Sequence, residues 1–186
     1  MRGVGEKRHA LSQRANDLYE TPPVAVERLL KVERLPEFIW EPACGPGAIA
    51  RVLRAAGHRV IATDLVDYKS PDQDQARWDF LAEREVPEGV EAVVTNPPFK
   101  IAGDFAAHAL DLCPRVMLLL RLAFLESKGR TEILENGRLA RVHVFRKRLP
   151  MMHRAGWQGP RTTSTMAFAW FVWQRDHKGP TTLHRL

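Results

Sequence analysis

A chain of 186 residues has room for one hydrophobic core and little beyond it. Apolar residues at 45% and charged residues at 27% suit a globular protein, and no run approaches the about 18 apolar residues of a membrane span. The net charge of +6 points toward anionic partners, and the two cysteines, Cys44 and Cys113, stand outside any CxxC metal pattern and read as buried thiols in a reducing cytoplasm.

Residues 1–16 are basic and carry no apolar segment, so they read as an N-terminal arm rather than a secretory signal, and a cytoplasmic location is expected. A single domain is expected over 17–175, with 176–186 as a tail. TPPVAVERLL, from Thr21 to Leu30, opens with a Thr cap and early prolines and carries apolar residues at helical spacing. The next elements are a short buried strand around FIW, a helix over Gly47–Ala56 closed by Gly57, and a strand over His58–Leu65. RWDFL (Arg77–Leu81) reads as a short third strand and Val90–Thr95 as a fourth. A helix over Gly103–Cys113 stops before Pro114, and RVMLLLRL (Arg115–Leu122) is apolar enough for a central strand. Ala140–Arg146 and Ser164–Gln174 read as two late strands with no helix between them, which predicts an antiparallel pair. The pattern is a doubly wound α/β domain: a mostly parallel, seven-stranded sheet ending in an antiparallel hairpin.

Charge is unevenly placed. Between Asn136 and Gln174 there is no Asp or Glu, while Arg146, Lys147, Arg148, His153, Arg154 and Arg161 fall there beside Trp157. Cations interleaved with aromatics suit phosphate contact and base stacking, so this stretch is the candidate nucleic-acid interface. A solvated basic face is the competing reading.

EPACGPG, from Glu41 to Gly47, lies between a strand and a helix, where a doubly wound sheet binds nucleotides. Gly45 and Gly47 let the backbone turn tightly and approach a ligand. Asp64, at the end of the next strand in TDL, is placed to accept hydrogen bonds from ribose hydroxyls. NPPF (Asn96–Phe99) follows the fourth strand, and its consecutive prolines remove two backbone donors and leave nearby carbonyls free to accept. An amide oxygen and a carbonyl so placed suit an amino group. Hydrogen bonds from an aromatic NH2 to the Asn96 oxygen and the Pro97 carbonyl would favour a pyramidal nitrogen and aim its lone pair.

EPACGPG followed by TDL resembles the cofactor motifs of class I S-adenosylmethionine methyltransferases, and NPPF resembles the catalytic motif of those acting on adenine amino groups and glutamine amides. The resemblance implies cofactor contacts from Ala43, Gly45 and Gly47, with Glu41 just ahead of the loop, and a ribose contact from Asp64 beside Leu65. It also implies that Asp79 meets the adenine amino group with Phe80 nearby. YETP, holding Tyr19, Thr21 and Pro22, looks like the additional cofactor motif of DNA adenine methylases, and FLESKGR and FRKRLPMMH look like the small phage-type members. Asn96, Pro97, Pro98 and Phe99 would then be catalytic, with Asn96 also close to the cofactor and Phe99 stacking on a flipped base. S-adenosylmethionine is the implied cofactor and DNA the favoured partner, with no metal and no membrane. RNA adenine and a protein glutamine amide are the alternatives.

Overall fold

The computed structural model describes residues 18–151 and 165–186. Eight strands form one sheet in the order β3-β2-β1-β4-β5-β7-β6-β8. The strands are β1 (Phe38–Glu41), β2 (Arg59–Asp64), β3 (Gln75–Ala76), β4 (Ala92–Thr95), β5 (Arg115–Arg121), β6 (Leu139–Val144), β7 (Phe168–Gln174) and β8 (Thr182–Arg185). Strands β3, β2, β1, β4 and β5 pair parallel, and β7 inserts antiparallel between β5 and β6. The doubly wound sheet and its terminal antiparallel pair are therefore as the sequence predicts.

Alternation along the strands builds a core on each face. In β5, Met117 and Leu119 point to the face covered by α1 (Pro23–Val32) and α2 (Ala48–Ala55), where they meet Leu29, Ile49 and Leu53. Val116, Leu118 and Leu120 point to the other face, under Phe105 and Ala109 of α3 (Ala102–Leu112). A strand buried on both sides needs an unbroken apolar run, which is how RVMLLLR reads. The buried indoles Trp40, Trp170 and Trp173 each donate to a fixed acceptor, namely Thr63 Oγ1 and the carbonyls of Ala25 and Ile133.

Three expectations are corrected. Arg77–Leu81 is not a strand: β3 ends at Ala76, Arg77 adopts a left-handed φ of 59°, and Asp79 caps a 3-10 turn over Phe80–Ala82. Thr21 does not cap α1, since Pro22 occupies the cap position without a side-chain bond and the Thr21 hydroxyl is engaged elsewhere. The sheet has eight strands rather than seven, because the expected tail supplies β8, which pairs parallel with β6 from Arg141↔Thr182 to Val144↔Arg185.

Candidate active site

Parallel strands β2, β1 and β4 are neighbours, so their carboxyl ends bring Asp64, Glu41 and Asn96 to one edge of the sheet. A cleft opens there. Its wall includes Tyr19 and Thr21, the loop residues Ala43 and Gly45, Asp64 and Leu65, Asp79 and Phe80, and Asn96 and Pro98. Segments far apart in the chain converge on a single cavity, as ligand sites of this fold do.

Glu41 is buried beneath the loop, 1% exposed, and its Oε2 accepts from the Ala50 amide at 2.7 Å. Helix α2 starts at Gly47, which offers no capping side chain, so Glu41 satisfies an otherwise orphaned amide of its first turn. Burial pushes the Glu41 carboxyl well above the usual range, with the Ala50 amide opposing that and the nearby Asp64 charge adding to it. Asp64 receives the Gly45 amide at 2.8 Å on Oδ2 and the Val66 amide at 2.9 Å on Oδ1. Its carboxyl is also raised, by burial first, against the amides of Val66, Gly45 and Leu65. Each Asp64 oxygen thus holds one backbone N–H and keeps further accepting capacity.

Gly47 has φ 86°, and a Cβ there would overlap the Asp72 side chain. That contact belongs to a clamp that the sequence did not disclose. The 65–74 segment folds over the 43–47 loop, with the Ser70 hydroxyl donating to the Pro46 carbonyl at 2.7 Å. Arg51 pairs with Asp72 and Arg54 with Asp74, and Asp74 also accepts from the Ala62 amide.

Asn96 carries the sharpest geometry. Its Nδ2 donates to the Tyr19 carbonyl at 3.0 Å and to Thr21 Oγ1 at 3.1 Å. A backbone carbonyl only accepts, so the amide orientation is fixed by this network. Asn96 Oδ1 is left buried with no hydrogen-bond partner among the described residues. Phe99 stands beside it, its ring centroid 5.1 Å from Tyr19 and 5.7 Å from Phe168, with the Arg121 guanidinium 4.3 Å above. Arg121, at the end of β5, is a neighbour of the motif that no local signal in the sequence marks.

The remaining expected residues separate into groups. Asp79 is exposed on the cleft wall and accepts from the Leu81 amide at 3.1 Å, while Phe80 is 2% exposed and wedged against Trp40 and Phe105. Leu65 is 62% exposed at the rim. Pro22, Gly47, Pro97 and Phe99 fall outside the cleft wall itself. Trp78 and Tyr68 line it without having been singled out. Arg146, Lys147 and Arg148 are exposed in the turn after β6 and line a second, separate cleft. His153, Arg154, Trp157 and Arg161 lie outside the described residues. Among the described residues no group of three or more His, Cys, Asp or Glu is arranged to hold a metal ion, and no helix is long and apolar enough to cross a membrane.

No family model matches the chain. Among solved structures it is similar to a Pyrococcus horikoshii protein provisionally described as an RNA methyltransferase, at TM-score 0.61 and 14% identity over 84% of this chain and 85% of that one. It is similar to the 23S rRNA methyltransferase ErmE, at TM-score 0.56 and 16% identity over 87% and 70% of the two chains. A modification subunit of a provisionally assigned type I restriction enzyme from Vibrio vulnificus matches at TM-score 0.59 and 14% identity, covering 90% of this chain but 46% of that one. The chain has the Rossmann-like methyltransferase fold. At these identities the likeness defines the fold, and the reaction is argued from the site.

Proposed function

We propose that the protein transfers a methyl group from S-adenosylmethionine to the exocyclic amino group of adenine in DNA. The observation that carries this reading is Asn96. Its amide NH2 is held by Tyr19 and Thr21, and its buried oxygen has no partner among the described residues. A buried acceptor with no donor is costly, and an incoming amino group repays that cost.

The cleft suits the cofactor by its own chemistry. Asp64 retains lone pairs for two ribose hydroxyls, and Leu65, Tyr68 and Phe80 offer apolar surface for an adenine ring. When bound, S-adenosylmethionine supplies a methyl group on a positively charged sulfur. Asn96 Oδ1 and the Pro97 carbonyl accept the two N–H bonds of the target amine, so its lone pair is aimed rather than spread into the ring. An amine so held would take the methyl group as the C–S electrons stay with sulfur, and would then release one proton to water. Because Oδ1 is covered, the surrounding side chains part as the amine arrives. Phe99 stacks on the base once the Arg121 guanidinium yields a face of the ring.

Proteins of this fold named for RNA methylation and for a restriction-modification subunit both occur, so the fold leaves the sugar open. Nucleoside mass spectrometry after incubation with isotopically labelled cofactor and sequence-matched DNA and RNA is the test. Label on deoxyadenosine is expected. Label on adenosine alone moves the same chemistry to RNA, and label on neither, with label on protein glutamine, overturns a nucleic-acid substrate.

A further inference from the structure

Six cations from three distant parts of the chain meet at one cleft. Arg28 and Lys31 come from α1, Arg146, Lys147 and Arg148 from the turn after β6, and Arg185 from β8. All six are exposed, no Asp or Glu among the described residues lines the cleft, and none of the six forms an ion pair with a described residue. Cations that seek only to stay soluble do not need a shared concavity. One that gathers six positive charges focuses potential on an anionic ligand of matching length.

The cleft is rigidly built. Its α1 wall is tied to the sheet by the Trp170 indole on the Ala25 carbonyl at 2.8 Å. It is tied again by Glu33, which ends α1 and accepts from Arg141 at 2.5 Å and lies 2.7 Å from His143, both on β6. Its other wall is tied where the Arg146 amide donates to a main-chain oxygen of Leu186 at 3.0 Å and the Leu186 amide to the Val144 carbonyl at 2.9 Å. Helical spacing turns Arg28 and Lys31 to the same side as Val24, opposite the buried Val26 and Leu29.

Its place relative to the catalytic edge is equally defined. Strand β6 runs parallel to β5, both pairing antiparallel with β7, so the Arg146–Arg148 turn leaves the sheet at the same edge as NPPF. Helix α1 begins two residues after Thr21, which holds Asn96, and Arg28 lies roughly 8 Å of helix rise beyond that start. Among the described residues that line the cleft, Phe145 is the one aromatic, and it packs against the core. A single strand asks for bases stacked on exposed rings, whereas a duplex with its bases turned inward asks only for charge along its phosphates.

We propose that this cleft, walled by α1, the turn after β6 and β8, holds the phosphodiester backbone of duplex DNA beside the flipped adenine. The inference rests on the reading of the substrate given above, and its test is read by binding rather than by methylation. Fluorescence anisotropy of a labelled duplex oligonucleotide would be followed across a salt series for the full chain and for the triple variant Arg28→Ala, Lys31→Ala, Arg185→Ala, with cofactor affinity measured by calorimetry. The expected result is a slope of log affinity against log salt that is shallower by about 3, close to one per cation removed, with cofactor affinity unchanged. The variant Arg28→Lys, Arg185→Lys keeps the parental slope. A triple variant that binds duplex with parental affinity and slope overturns the proposal even if deoxyadenosine is methylated, and so does parental binding that favours single strands over duplex. A slope lost as expected in a protein that methylates no adenine keeps the cleft and removes the reaction.

Discussion

Helices α1 and α2 cover the same face of the sheet, yet their cations meet opposite fates. On α2, Arg51 pairs with Asp72, and Arg54 reaches Asp74 together with the carbonyls of Val60 and Asp72. On α1, Arg28 and Lys31 face a cleft with no Asp or Glu side chain among the described residues of its wall. Matched charge closes the 65–74 segment over the 43–47 loop and belongs to the protein's own architecture. Unmatched charge, held on an equally firm base, is what the proposed duplex contact would use. On the wall of the first cleft Glu41 and Asp64 are satisfied by backbone amides, whereas the Trp78 indole N–H and, as the one exception among acceptors, Asn96 Oδ1 have no partner among the described residues.

The exception gives the largest expected effect. Asn96→Ala removes the amine acceptor and should lower turnover on the order of 10²–10³-fold, the range seen when one preorganised catalytic hydrogen bond is lost. Cofactor affinity by calorimetry should stay close to parental, since Asn96 bonds inward to Tyr19 and Thr21. A variant with near-parental turnover would show that the unpartnered oxygen is not what aims the substrate.

The matched acids give the next effect, and it falls on binding. Asp64→Ala should weaken cofactor affinity by roughly 1–3 kcal/mol, because ribose hydroxyls and the Gly45 amide lose a common acceptor. The pH dependence follows in sign. The Asp64 carboxyl is raised by burial, so its accepting, charged form is lost as pH falls, beginning above the ordinary aspartate range. Cofactor affinity should therefore decline on acidification earlier than for an exposed aspartate, and Asp64→Asn should flatten that decline. An unchanged profile in Asp64→Asn would remove the ribose assignment.

Glu33 tests whether the two sides are joined as described. Burial alone would raise its carboxyl, but the hydrogen bonds and charges of His143 and Arg141 outweigh it and hold the value at about 2. An acid lowered on folding lends stability that is complete above its unfolded value, near 4.5, and is lost as pH falls from there toward about 2. Glu33→Gln should cost roughly 1–3 kcal/mol near neutrality and make chemical denaturation midpoints less sensitive to pH over that window. Equal sensitivity in the parent and the variant would place the α1–β6 tie elsewhere.

How far these features are legible in the sequence depends on the range of the interaction that makes them. The unbroken apolar run RVMLLLR, the EPACGPG turn and the placement of NPPF after a strand are local, and the sheet and the edge that carries Glu41 and Asn96 follow from them. Thr21 reads as a cap because its neighbours are prolines, and only folding brings it to Asn96, 75 residues away. RWDFL has the composition of a strand, but the left-handed Arg77 stops the ladder after two pairs. The TLHR strand is four exposed residues long and carries no buried-face signal, so its place beside β6 is set by backbone pairing alone. The basic cleft is the extreme case. The one-signed run near FRKR is visible in the sequence, but Arg28, Lys31 and Arg185 join it only through topology.

The smallest effects separate matched from unmatched cations most cleanly. Arg51 is a solvent-exposed partner of Asp72, and pairs of this kind are worth at most about 1 kcal/mol and are screened by salt. Arg51→Ala should lower the melting temperature slightly, less so at high salt, and leave the salt slope of duplex binding unchanged. Arg146→Ala should do the reverse. Arg146 forms no ion pair with a described side chain, and its guanidinium donates to the Arg185 carbonyl at 3.4 Å, so stability should hold while the slope becomes shallower by about 1. Both substitutions remove the same formal charge, so net charge cannot account for a difference between them. If each changed the slope equally, duplex binding would report the field of the whole protein and not the cleft, and the distinction between the cations of α1 and α2 would lose its functional meaning.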